Sequence, residues 1–167
     1  MLEKIEVTKE KLYTFHGIFD LCDAYDFVKG YVEDAIYYYD VTEKDYEEVN
    51  DSGKRKIMSK LEATKIYNDY FKIVMKFELL MEGKNTEVEV NGQKKMLTKG
   101  IAKLKINSYV HPDWNNDRSS SPFASFLGTL HDKFVGNDEL GTCIEHAAID
   151  VGKLIANFKQ HMGAGIK

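Results

Sequence analysis

The chain has little with which to staple or anchor itself. Its 167 residues include only two cysteines, Cys22 and Cys143, too few and too far apart for the disulfide framework of a small secreted scaffold. Read as reduced core thiols, they favour a reducing, cytoplasmic setting. No apolar run approaches the roughly 18 residues of a membrane span, and the N-terminal MLEKIEVTKEK lacks the hydrophobic stretch of a secretory leader. A basic excess is missing too: 23 Lys and Arg stand against 27 Asp and Glu, a formal charge of -4, so no nucleic-acid partner is expected. Nucleophile elbow, P-loop, dinucleotide fingerprint and metalloprotease helix are all absent. Nothing calls for a cofactor, and a non-enzymatic role is favoured over a catalytic one.

What is present is apolar material for one core. At 43% hydrophobic and 12% aromatic, the chain can bury enough surface to fold as one domain over 1–167, with 163–167 as a frayed tail. Charge is unevenly laid out. Residues 1–53 carry 14 acids and 5 bases, net -9; residues 54–109 carry 13 bases and 6 acids, net +7; the rest carry 7 acids and 5 bases, net -2. Either a basic surface is on offer, or acidic and basic segments lie side by side as cross-strand neighbours; the second reading is preferred.

Period two dominates the middle of the chain. In YFKIVMKFELLM, residues 70–81, Phe71, Ile73, Met75, Phe77, Leu79 and Met81 share one parity, and Tyr70, Lys72, Lys76 and Glu78 the other. A long strand with one dry face and one wet face follows. KRKIMSKLEATKI, residues 54–66, repeats the pattern with Ile57, Leu61 and Ala63, after a turn at Asn50 to Gly53. Asn91-Gly92 marks a tight hairpin between Val88 and Val90 on one side and Ala102, Leu104 and Ile106 on the other. Lysines 103 and 105 guard the outer face. KLYTFHGIF, residues 11–19, reads as a short strand, and Tyr37, Tyr39 and Val41 set the parity of another.

Helices flank these strands. Asp20 caps a helix over 20–35 with Leu21, Tyr25, Val28 and Val32 as its stripe. Ser121-Pro122 opens a second, with Phe123, Phe126, Leu127, Leu130 and Phe134 at helical spacing and Gly136-Asn137 as its end. A long one runs from Asp138 to Met162, its apolar side carrying Leu140, Ile144, Ala148, Val151, Ile155, Phe158 and Met162. Gly141 and Gly152 interrupt it, at about 1 kcal/mol each relative to alanine, so close packing there is expected. The fold class is α+β: a meander of about five to six strands covered on one face by an N-terminal and two C-terminal helices. In element order it resembles the helix-grip folds of the START and Bet v 1 kind. That resemblance implies a curved sheet gripping a long final helix around a hydrophobic pocket.

Candidate sites follow from this arrangement. Large, flexible Phe71, Met75, Phe77 and Met81 facing Phe158 suggest a small apolar ligand held between sheet and final helix. The alternative is a protein-interaction or self-assembly module, a homo-oligomer in its simplest form, using the Lys- and Tyr-rich sheet face or the edge strands. A third reading concerns SYVHPDWNNDRSSSP, residues 108–122, where His111, Asp113 and His131 offer nitrogen and oxygen ligands to a metal or a catalytic centre. Their spacing is loose for zinc, so a connecting loop anchored by Trp114 is preferred there. Cys143 and His146, one helical turn apart, read as a buried thiol beside a partly exposed imidazole.

Overall fold

Alternation of apolar and polar residues governs the architecture. The computed structural model describes residues 4–35, 39–112 and 136–164. Within them, β1 (Ile5–Phe19), β2 (Asp40–Asp51), β3 (Lys54–Ile66), β4 (Phe71–Val90) and β5 (Gln93–Pro112) form one antiparallel sheet in the order β1-β5-β4-β3-β2. Helix α1 (Leu21–Gly30) and a π turn (Tyr31–Ala35) join β1 to β2, and α2 (Gly136–Ala164) follows the sheet. Two hairpin turns are set by residues with positive φ, Ser52-Gly53 (51° and 79°) and Asn91-Gly92 (52° and 77°). Pairs of left-handed residues give turns whose twist matches that of the strands. Between β3 and β4, the Asn68 side chain accepts from the Tyr70 and Phe71 amides at 2.9 and 2.8 Å, fixing a short loop where no glycine is present.

The dry parity of residues 70–81 makes the sheet's inner face. Phe71, Ile73, Met75, Phe77, Leu79 and Met81 are all buried, joined by Ile57, Leu61 and Ala63 from β3 and Ala102, Leu104 and Ile106 from β5. Register carries the pattern across the strands: Ala63, Met75, Ser108 and Thr8 form one row, Ser59, Leu79, Leu104 and Tyr13 another. Both helices cover this face. Asp20 caps α1 through its Oδ1, which accepts from the Asp23 amide at 3.1 Å, and Leu21, Ala24, Val28 and Val32 are buried. Phe158 of α2 meets Tyr13 edge-on at 5.8 Å between centroids and lies 6.4 Å from Phe27.

Several local expectations are corrected. Strand β1 begins at Ile5, well before residue 11, and β5 runs through Ser108–Pro112, so His111 belongs to a strand and not to a loop. The buried stripe of α2 is Cys143, Ala147, Val151, Leu154, Phe158 and Met162, while Ala148 is exposed. Small residues left the helical phase ambiguous. An added Cβ at Gly141 or Gly152 would meet nothing within 4 Å, so close packing does not explain either glycine. The turn over Ser121-Pro122, the helical spacing of 123–134, Tyr37, Tyr38, Trp114, Asp113 and His131 all lie outside the described residues.

Three glycines shape the far end of the sheet. Gly17, Gly100 and Gly83 sit in one row, with Arg55 as the next partner. A Cβ on Gly100 would stand 2.0 Å from the Glu82 carbonyl oxygen, and one on Gly83 2.4 Å from that of Lys99. Backbones approach too closely there for any side chain on the inner side, so the sheet coils sharply across this row. Beyond it, β4 and β5 continue as a two-stranded arm to the Asn91-Gly92 turn.

Candidate functional site

The five residues expected to line a cavity come together. Phe71, Met75, Phe77 and Met81 of β4 share a core with Phe158 of α2. Their side chains are covered by protein: Met75, Met81 and Phe158 are wholly inaccessible, Phe77 is 1% exposed and Phe71 4%. One polar atom stands out among them. The Ser108 hydroxyl, across from Met75 and beside Thr8, is buried without a hydrogen-bond partner. Among the described residues no other buried side-chain oxygen or nitrogen lacks a partner: the Tyr39 hydroxyl donates to Asp150 Oδ2 at 2.9 Å, tying β2's approach to α2. Burial, and next the Asp150 charge, push the Tyr39 hydroxyl far above the usual tyrosine range.

The metal candidates are only partly placed. His111 pairs with Lys72 on the outer face, whereas Asp113 and His131 lie outside the described residues. Among the described residues no three His, Cys, Asp or Glu side chains gather as a metal site would require. Cys143 is buried, and burial pushes its thiol up to about 11, with Lys65 pulling the other way. His146 does not join it at a metal-like site and packs edge-on to Tyr67, 5.5 Å between centroids.

Where α1 crosses the β2–β3 edge, the inner face turns polar. Glu43 Oε2 accepts from the Tyr25 hydroxyl and from Ser59 Oγ, the latter at 2.9 Å. Glu48 accepts from Tyr46 at 2.9 Å and from Arg55 at 2.7 and 3.0 Å, and the same guanidinium reaches Cys22 Sγ at 3.3 Å. Hydrogen bonds from Arg55 and then Tyr46 hold the Glu48 carboxyl below its ordinary value. Burial followed by Glu48 pushes Tyr46 up to about 12. These groups satisfy one another, so the cluster clips α1 onto β2 and β3.

The outer face carries the lysines. Reading across the strands, Asp45, Lys60, Glu78, Lys105 and Leu12 form one row, Val49, Lys56, Glu82, Ile101 and His16 a second, and Asp51, Lys54, Lys84, Lys99 and Ile18 a third. Acidic β2 therefore lies against basic β3, which is the side-by-side arrangement of charge preferred from the sequence. Lys4 and Lys76 flank the Tyr109 ring at 4.7 and 5.6 Å. A shallow cleft of about 250 Å³ is ringed by Lys44, Glu62, Lys76 and Lys105, where Glu62 receives Lys44 and Lys76 at 3.9 and 4.0 Å. A larger one of about 680 Å³ lies over Gly83 and Gly100.

The extended segment announced by the parity of Tyr39 and Val41 is β2, and the structure adds its place at the rim of the sheet. Among the described residues it pairs on one side only, with β3, and all of its residues except Val41 are exposed. Asp45, Glu47 and Asp51 share the outer parity, and Glu43 and Glu48 the inner one, with a bulge at Lys44 between them. The acids of β2 are plain in the sequence as cross-strand neighbours of a basic segment, but nothing local says that the acidic strand has a partner on one side alone. The chain matches no known family. Neither a curated protein nor a solved structure matches it either. Among the described residues no helix is long and apolar enough to cross a membrane.

Proposed function

We propose that the protein is an interaction module whose contact element is the edge strand β2, and that its partner contributes a basic, extended segment. The observation that carries this reading is an exposed twelve-residue edge strand bearing carboxylates on both faces. An unpaired edge offers main-chain donors and acceptors to an incoming strand. The carboxylates bias which strand can come. A second copy of β2 would set acid against acid, a repulsion that suppresses self-pairing, whereas alternating lysines or arginines would meet complementary charge on each face. Charge alone would also serve as an edge guard; the reading as a contact element adds a partner of opposite sign. Titrating the ¹⁵N-labelled protein with a synthetic peptide of alternating Lys and Val tests it. Shifts and slowed amide exchange confined to 40–51, lost in 0.5 M salt and in Glu47→Lys, are expected; shifts spread over the sheet without protection in β2 would sink it.

A second reading rests on Ser108. A buried hydroxyl without a partner costs about 1–3 kcal/mol, and its place beside Met75 under α2 suits an apolar ligand with one polar group. The strand order, with β1 beside β5 and a long last helix over the inner face, supports a helix-grip-like arrangement in which such a ligand sits. Native mass spectrometry decides between added mass and a bare chain. A bare chain, with unchanged stability in Ser108→Ala, removes this reading and leaves the first standing.

A further inference from the structure

We propose that the outer cleft over Gly83 and Gly100 is a binding site for a small amphipathic monoanion, of the kind represented by a medium-chain carboxylate. The cleft, about 680 Å³, has a size suited to a small molecule. Its apolar surface comes from Val49, which is 43% exposed, and from Ile101. Its charged surface is mostly basic: Lys54, Lys56 and Lys84, against Asp51 and Glu82. Arg55 contributes little charge there, because its guanidinium is turned to Glu48 beneath the other face.

Register sharpens the case. Lys54 pairs with Lys84, and Lys84 with Lys99, so three cations stand in directly opposed positions across β3, β4 and β5. Opposed like charges repel. Other lysines of the sheet reach acids, as Lys76 does Glu62 and Lys105 does Glu10, but among the described residues no ion pair is formed by Lys54, Lys84 or Lys99. Asp51, the end of that row, accepts instead from the neighbouring Ser52 hydroxyl at 3.0 Å. A bound carboxylate between Lys54 and Lys84 would relieve the repulsion, while its chain lay along Val49 and Ile101. Lysines that merely keep a sheet face wet need neither a cleft nor adjacent apolar residues. Here both conditions meet, since Val49, Ile101, Lys54 and Lys84 all line one cleft.

Decanoate, at low salt, is the probe. Titrated into ¹⁵N-labelled protein, it is expected to shift the Val49, Gly83, Gly100 and Ile101 amides saturably, and decanol is expected to bind about ten-fold more weakly or worse. Lys54→Glu/Lys84→Glu, and the milder Lys54→Gln/Lys84→Gln should charge reversal unfold the chain, are expected to weaken decanoate about ten-fold. Lys9→Glu, far along β1, should leave it unchanged. Absence of saturable binding, equal binding of decanol, equal binding by the glutamine variant, or shifts centred on Met75 and Phe158 would each overturn the proposal. So would retention on phosphatidylglycerol vesicles without decanoate binding, which would mark a membrane-facing surface. Val49 and Asp51 of β2 line the cleft, but decanoate has no main chain with which to add a strand, so failure here leaves the proposed strand partner untouched, and the reverse holds too.

Discussion

Two thiols and one buried carboxylate carry the residue-scale argument. Cys22 is exposed and Cys143 is buried with its thiol pushed up to about 11, so a thiol reagent at pH 8 should label Cys22 promptly and Cys143 only on unfolding. Labelling of both at the same rate would mean that α2 does not seat as described. The raised Cys143 value also has a sign: its stability contribution is fully present below the unfolded thiol's pKa of roughly 8.5 and fades as pH rises toward about 11. Glu48 works oppositely, its contribution present above the unfolded glutamate value and lost as pH falls through its lowered folded one. Tyr39→Phe leaves Asp150, only 5% exposed, without its donor; a loss of about 1–3 kcal/mol in urea unfolding is expected. None of these pairings was legible from the sequence. Tyr39 and Asp150 are 111 positions apart, and only the fold makes them neighbours.

Elements were easier to read than their phase. The six-residue parity of 71–81 and the Asn91-Gly92 turn located β4 and its hairpin, because side-chain alternation and positive φ are local constraints written directly in residue type. The stripe of α2 is one place out of phase in the sequence, since Ala147 and Ala148 are alike in size, while Cys143, read as a buried thiol, is indeed in the core. The glycines were misjudged for a related reason: sequence shows that a side chain is missing, never what the vacancy faces. Gly100 and Gly141 separate the two cases by experiment. Gly100→Ala drives a Cβ onto the Glu82 carbonyl and should cost about 1–3 kcal/mol, as overpacking does. Gly141→Ala, on an open helical surface, should stabilise by up to about 1 kcal/mol. Equal effects in urea unfolding would refute the coiled geometry of the glycine row.

Across the whole molecule, the uneven charge of the sequence becomes a spatial pattern. The acidic first third supplies edge strand β2, the basic middle supplies β3, β4 and β5, and antiparallel pairing sets them side by side. Composition revealed the imbalance, but strand order decided that the acids would occupy an open edge instead of the sheet's centre. Among the described residues the outer edges of β1 and β2 are unpaired, and such edges invite pairing with further copies. Here the invitation depends on ionic strength. At neutrality, pairing two β2 strands brings together segments that each carry six acids against one lysine, so sedimentation at micromolar concentration should find a monomer. As salt rises to about 1 M, where charges are screened beyond roughly 3 Å, that repulsion is damped while the main-chain edge remains, and association should set in with the far-ultraviolet signal of the sheet unchanged. A stable dimer at pH 7 would show that the acids do not guard this edge. Dissociation of such a dimer in high salt would go further, placing the carboxylates in attractive contacts with lysines of a second copy and moving the site of assembly to the outer face of the sheet.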